Sequence, residues 1–334
     1  MALYDALFLE GLHAAASGAA WGRLSREQTM TIRAQVEADV LWLGEPACQD
    51  RVLVGAKAAQ LSQLAASHRV PPGFCLTSTA FARAYAIGRA DNGIKNPPGD
   101  LPRSLFDELT AAYQMLAVRT GLETPPVAVR SSAIDEDCSA ASFAGQHDTY
   151  LNLAGIDAVA QAVVRCWASS YSERALACRR QLGLPLDNVR LAVLIQHLIV
   201  ADVSAVVFSA NPVKGRRDEI VINATWGLGE SLVSGMVTPD TYLVQKGDLS
   251  VTRRQIGEKR RMTVAVPEGT REVDVPRIFR RQAALDDAQA IEMAQLARLL
   301  GDAMGYPVDV ECAYSGSRLY LLQCRPITTL SMLV

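Results

Sequence analysis

The sequence predicts an α+β protein arranged as two lobes, on three observations. Helical spacing dominates the early part and returns in Ala283–Gly305, where Ile291, Ala294, Leu296, Leu299 and Leu300 recur at helical intervals. Strand signals, mostly antiparallel in character, prevail from residue 190 onward. The chain has 334 residues, 49% of them hydrophobic, enough to fill two cores. The change in pattern puts a lobe boundary near 200, and clefts between lobes are favoured ligand sites. The expected layout is a helical N-terminal extension over 1–45, a first lobe over 46–200 and a second over 201–334.

Taken in order, the extension contains Ser25-Arg26-Glu27-Gln28, a helix-capping pattern. A strand and turn follow at Leu41–Pro46. Val52-Leu53-Val54-Gly55-Ala56-Lys57 reads as a short apolar stretch, a glycine and a helix start. Val70-Pro71-Pro72-Gly73-Phe74 is a turn entering a strand, and Thr77-Ser78-Thr79 can cap the next helix. Residues 93–103 are rich in Pro, Gly and Asn, as loops are. Val127–Arg130 is a short strand that runs into a loop of small residues through Gly145. Later strands are Leu191–Val200, Val203–Ser209 and Ile220–Asn223, and glycines close the last helix.

The formal net charge of −2 gives no electrostatic case for nucleic acid or a membrane surface. No apolar run reaches the length of a membrane span, and the acidic start lacks the basic region of a secretory signal. Seven cysteines without a CxxC pair read as reduced thiols of a cytoplasmic protein. Four isolated histidines argue against zinc.

Chemistry concentrates first in the C-terminal hairpin. Asp309 and Glu311 share one face of a strand, and Gln323 and Arg325 share one face of the next. If those faces meet, two carboxylates, an amide oxygen and a guanidinium form a patch suited to a hard metal ion and a phosphate chain. A three-residue loop, Gly316-Ser317-Arg318, pairs Glu311 with Gln323 and Asp309 with Arg325. A two-residue Gly316-Ser317 turn throws Gln323 to the other face, because a one-residue slip inverts a strand. The alternative is a solvated polar face on an edge hairpin. Cys312 and Cys324 belong to the opposite face.

Other signals are weaker. There is no GxxxxGK[ST]. Lys57 sits at an expected helix N-terminus, where free N–H groups welcome phosphate, or is an exposed helix lysine. Arg130, at the end of a strand, offers a fixed bidentate fork for phosphate, and the small residues of Ser139–Gln146 allow close backbone approach. The alternative pairs Arg130 with Asp135 or Glu136. Trp226–Ser231 reads as a turn between sheet and helix. Gln196, within an apolar strand, is either an edge residue facing water or a hydrogen-bond partner for a nucleobase or ribose.

Five ordered stretches, spanning roughly 45 to 330, resemble the nucleotide-binding domain of the phosphoenolpyruvate synthase, pyruvate phosphate dikinase and rifampin phosphotransferase family. They are VGAKAAQLSQL, VPPGFCLTSTAF, VAVRSSAIDEDCSAASFAGQHDTYLN, VSAVVFSANPVKGRRDEIVINATWGLGESLVSGMVTPDTY and DVECAYSGSRLYLLQCRPITTL. The resemblance implies an ATP-grasp fold with ATP between the lobes. It implies that Lys57 and Arg130 hold phosphates, that Gly145 and Thr149 belong to a lid loop, and that Gln196 meets the adenosine part. Glu311 and Gln323 become magnesium ligands, Asp309 a further ligand or a supporting residue, and Arg325 the grip on the transferred phosphoryl group. Departures are Ala56 and Ala58 where the family has glycines, and Cys138-Ser139-Ala140 where it has Leu-Pro-Gly.

In that family ATP gives a phosphoryl group to a histidine on a further domain, leaving AMP and phosphate. None of His13, His68, His147 and His197 has the context of that histidine. The expectation is therefore an ATP-dependent phosphotransferase domain or subunit, using ATP and Mg2+, that needs a separate phosphohistidine and acceptor-binding partner. The alternative is a self-sufficient kinase or ligase acting on a small molecule, and a third reading is a binding module without turnover.

Overall fold

Near-continuous burial marks the central strands of the first sheet, which are covered on both faces. In the computed structural model, which describes residues 38–92, 99–133, 149–181, 183 and 189–327, Val127 and Val129 point into a core with Phe74, Leu76, Val193 and Ile195. These belong to β2 (Gly73–Leu76), β3 (Val127–Ala133) and β5 (Leu191–His197). With β1 (Val40–Trp42) and β4 (Thr149–Leu153) they form an antiparallel sheet in the order β1-β2-β5-β3-β4. Helices α2 (Ser78–Asn92), α3 (Arg103–Thr120) and α4 (Ile156–Ser169) cover that face through Phe81, Leu105, Leu109, Leu116, Val163 and Trp167. As expected, Thr77 Oγ1 caps α2 by accepting from Ala80 N at 3.3 Å. The described part of the extension, 38–45, is strand and turn rather than helix.

Helix α1 (Arg51–Leu64) meets β3 and β5 of the same sheet, with Ala56, Ala58, Ala59 and Leu61 buried. It starts earlier than the sequence suggests, because Asp50 caps it by accepting from Val52 N at 2.8 Å, so the apolar stretch Val52–Val54 is already helical. Gly55 breaks the helix at φ 74° and lies so close to β3 that a Cβ would clash with the Ser132 carbonyl. A side chain here would therefore meet both an unfavourable φ and a backbone neighbour. A second short helix, α5 (Glu173–Gln181), follows α4.

The second sheet is antiparallel and runs β13-β12-β6-β7-β8-β9. Its strands are β6 (Val203–Phe208), β7 (Glu219–Trp226), β8 (Asp240–Gln245), β9 (Val251–Gln255), β12 (Val308–Ser315) and β13 (Arg318–Pro326). Val207, Ile222, Tyr242 and Val310 line one face, in register across four strands, and α7 (Asp287–Met304) packs on β6, β7 and β12. The capping box of Asp286 and Gln289 starts α7, and left-handed Gly305 ends it. Its buried stripe is Ala290, Met293, Ala294, Ala297 and Leu300, and Leu299 is exposed, unlike the spacing first read from the sequence. A short helix, α6 (Glu230–Val233), and a separate hairpin, β10 (Arg261–Val266) with β11 (Gly269–Asp274), lie between β7 and α7 in the chain.

Described residues from Asp39 onward belong to one packed unit. The two sheets meet where α1 packs on β13. Leu321 N donates to Arg69 O at 2.9 Å, and Gln60 Nε2 lies 3.8 Å from Cys324 Sγ. No helix among the described residues is long and apolar enough to cross a membrane.

Candidate functional site

The β12–β13 hairpin has the register that the site needs, by a different device from the expected one. Ser315 pairs with Arg318, so the turn is the two-residue Gly316-Ser317, with Gly316 at φ 58°. A strict ladder from that turn sets Leu322 opposite Glu311. Instead a β-bulge follows: Cys312 pairs with Leu321 and Glu311 with Gln323, leaving Leu322 as the extra residue. The bulge corrects the three-residue loop expectation and restores the predicted pairs Glu311–Gln323 and Asp309–Arg325. Cys312 and Cys324 are buried on the other face, as expected, among six described cysteines that are all buried and outside any disulfide.

On the polar face, Gln323 Nε2 donates to Glu311 Oε1 at 3.2 Å, and both residues are half-buried. Arg325 donates to Asp309 Oδ2 through both Nε (2.8 Å) and Nη2 (2.7 Å). Arg325 keeps 40% of its side chain exposed, whereas Asp309 keeps 7%. Burial raises the Asp309 carboxyl above the usual carboxylate range, Arg325 pulls it back, and the neighbouring Glu311 raises it further. Asp309 Oδ1 is buried with no hydrogen-bond partner. Asp309 is thus committed to Arg325 through one oxygen.

Helix α1 and the first sheet supply the facing cations. Lys57 Nζ donates to Ser131 O at 3.0 Å, which brings it beside Arg130. The lysine lies in the turn just after the Gly55 break, and Ala58 N, one residue on, donates to Ser132 Oγ at 3.2 Å. Arg130 crosses between the sheets: its Nη1 donates to Leu322 O at 3.3 Å, the carbonyl of the bulge residue. Arg130 Nε is buried without a partner. A continuous path therefore runs from Lys57 through Ser131, Arg130 and Leu322 to Gln323 and Glu311. The alternative partners Asp135 and Glu136, like Gly145 and His147, lie outside the described residues.

Thr149 is the first residue of β4, not a loop residue, and it pairs across the strands with Arg130. Gln196 is neither an edge residue nor exposed. It sits on central strand β5 between Gly73 and Ala128, is 2% exposed, and donates to Pro71 O at 3.2 Å. The pleat puts Gln196, Ala128 and Arg130 on one face, opposite the Val127–Val129 core. Trp226–Ser231 is the turn from β7 into α6, as read.

Sequence reasoning missed Leu322 and Gly55. Gly55 was visible as a glycine beside Lys57. Nothing in an apolar Leu-Leu pair marks a bulge whose carbonyl meets an arginine 192 residues away.

Residues 97–332 match the family model described as the pyruvate phosphate dikinase, AMP/ATP-binding domain. The chain belongs to that family. The phosphoenolpyruvate synthase of Pyrococcus furiosus is 36% identical over 358 residues, which cover 87% of this chain and 44% of that protein. The probable phosphoenolpyruvate synthase of Methanocaldococcus jannaschii is 36% identical, covering 87% of this chain and 27% of its own length. The rifampicin phosphotransferase of Streptomyces sviceus is 37% identical, with 83% and 34% covered. The chain thus spans less than half the length of these relatives. Among solved structures, D-alanyl-alanine synthetase A of Vibrio cholerae aligns with 74% of this chain and 56% of its own at 12% identity and a TM-score of 0.27, a likeness too slight to carry an argument.

Proposed function

We propose that the chain is the ATP-binding domain of a phosphotransferase that passes the β-phosphoryl group of ATP to a histidine on a separate domain or subunit, with water taking up the γ-phosphate, giving AMP and phosphate. The reading takes the fold as ATP-grasp-like, with lobes over 46–200 and 201–334 behind an extension over 1–45, and ATP between the lobes. One observation carries it: Arg130 of the first sheet bonds to Leu322 O of the second, bringing Lys57 and Arg130 against the wall that holds Glu311, Gln323 and Arg325. Family membership and the greater length of the relatives support it. The cytosol is the proposed compartment, in keeping with buried thiols outside any disulfide.

In this reading Lys57 and Arg130 hold the phosphate chain, with Thr149 and Gly145 beside it, and Gln196 borders the adenosine part. Arg325, aimed by Asp309, stabilises charge on the phosphoryl group being moved. The oxygen donors Glu311 and Gln323, with the unpartnered Asp309 Oδ1 nearby, suit a hard cation. Among the described residues no group of three or more His, Cys, Asp or Glu is placed to hold a metal. Magnesium, when bound, neutralises and orients phosphate oxygens.

The test is the nucleotide product. The chain is incubated with MgATP, with and without a histidine-bearing domain, and nucleotides are resolved by 31P NMR. AMP and phosphate are expected only when the histidine domain is present. ADP formed by the chain alone overturns the reading and points to a direct kinase.

A further inference from the structure

The hairpin β10–β11 joins the Trp226–Ser231 motif, which the site does not use, to strand β4, which carries Thr149. The hairpin rests on the motif. Gly227, at φ 75°, passes so near Thr263 that a Cβ would clash with its carbonyl, and Leu228 N donates to Thr263 O at 2.8 Å. Thr270 Oγ1 donates to Glu230 Oε2 at 3.0 Å. The turn of the hairpin reaches the edge of the first sheet. There Asn152 Nδ2 donates to both Val266 O and Gly269 O, each at 2.6 Å.

Asn152 is left-handed, at φ 56°, inside a strand. Asparagine is among the few side chains that tolerate this region, and such a conformation persists where surrounding contacts over-determine it. Both amide hydrogens go to carbonyls more than a hundred residues away, 114 and 117 along the chain. Three residues before Asn152 is Thr149, the cross-strand partner of Arg130. The hairpin therefore spans from the end of β7 to the strand that flanks Arg130, a further tie between the two halves besides the Arg130–Leu322 and Leu321–Arg69 bonds.

We infer that Asn152 is a positioning residue: through the β10–β11 hairpin it fixes β4, and with it Thr149 and Arg130, at the distance from the second sheet that a phosphate chain requires. This rests on the reading of Arg130 and Thr149 as phosphate holders. The role explains why a strand interior carries a strained asparagine, and why Gly227 and Glu230 sit where they do.

The test is Asn152→Gly, which keeps the positive φ free of strain and removes the side chain that carries the amide. Affinities of the full chain for MgATP and for adenosine, which has no phosphate, are measured by calorimetry, together with amide exchange of Thr149–Leu153. The expected result is about tenfold weaker MgATP binding, adenosine binding unchanged, and faster exchange in β4. Equal weakening of both ligands, or weakening of neither, overturns the inference. A wild-type chain that binds MgATP no more tightly than adenosine instead overturns the underlying phosphate reading, whatever the variant does. Thr270→Val, which removes only the tie to Glu230, carries the same test with a smaller expected loss, and decides the matter if Asn152→Gly does not fold.

Discussion

Asp240 and Lys259 pair in the full interior, both side chains 0% exposed, while Asp309 and Arg325 pair with only the carboxylate buried. The first pair is saturated. Asp240 Oδ1 accepts from Lys259 Nζ and from Gly257 N at 2.9 Å, and its Oδ2 accepts from Ala284 N at 2.7 Å. Lys259 Nζ also donates to Gly257 O at 3.3 Å. The second pair is left incomplete: one Asp309 oxygen takes both arginine donors and the other takes none. A satisfied buried pair fastens the chain where β8, the approach to β10 and the approach to α7 converge. An unsatisfied, half-exposed pair leaves the guanidinium open to solvent, where the proposed function sets it against a ligand.

The largest expected effect breaks the saturated pair. Lys259→Met leaves Asp240 as a buried uncompensated charge and should cost about 3–5 kcal/mol, read by chemical denaturation. A loss under about 1 kcal/mol would show that the interior there is wetter than the geometry implies. Next, Arg325→Ala, which strips the buried Asp309 of its partner but at a half-exposed site, should cost less stability than Lys259→Met, about 1–3 kcal/mol, and lower AMP formation with the histidine domain by about 10²–10³-fold. If the two variants exchanged behaviours, the contrast between the pairs would be wrong.

The same contrast shows what the sequence could disclose. Period and punctuation are local, so the strands beginning near 191, 203 and 220, the Thr77 cap, the glycine that closes α7 and the polar hairpin face were readable, whereas α7 starts at Asp287 rather than at the expected Ala283. The pairs Glu311–Gln323 and Asp309–Arg325 were read correctly through the wrong turn, because the correction comes from the Leu322 bulge beside a distant Arg130. Asp309 reads as a further metal ligand or a supporting residue, since sequence alone cannot tell which of its two oxygens an arginine occupies and which it leaves open. Lys259 drew no notice at all, as nothing local distinguishes a buried lysine in Glu-Lys-Arg-Arg from an exposed one. Asn152 and Gly227 escaped for the same reason: what fixes them lies on other parts of the chain.

Smaller effects sharpen the site side of the comparison. Glu311→Gln keeps the shape but removes a charge, and should raise the Mg2+ concentration needed for half-maximal AMP formation by about tenfold, read by metal titration. An unchanged metal dependence would remove Glu311 from the metal site. The smallest effect is a pH dependence. The Asp309 carboxyl is raised in the folded protein, so the folded state holds that proton more tightly than the unfolded one. Its contribution to stability is therefore present at low pH and is lost as pH rises from the ordinary carboxylate range through the raised folded value. Asp309→Asn should melt no lower than wild type at pH 8 while losing activity, and its melting temperature should vary less across acidic pH. A variant that melts well below wild type at pH 8 would mean that the pair stabilises the fold after all.

The central claim is that cations of α1 and the first sheet and oxygen donors of the second sheet act on one bound molecule. MgATP affinities of the wild type, Arg130→Met, Glu311→Gln and the double variant test it most directly. A shared site predicts non-additive losses, with a coupling of about 1 kcal/mol or more between residues on different sheets. Losses that sum fully would contradict it, placing Arg130 and Glu311 in independent sites.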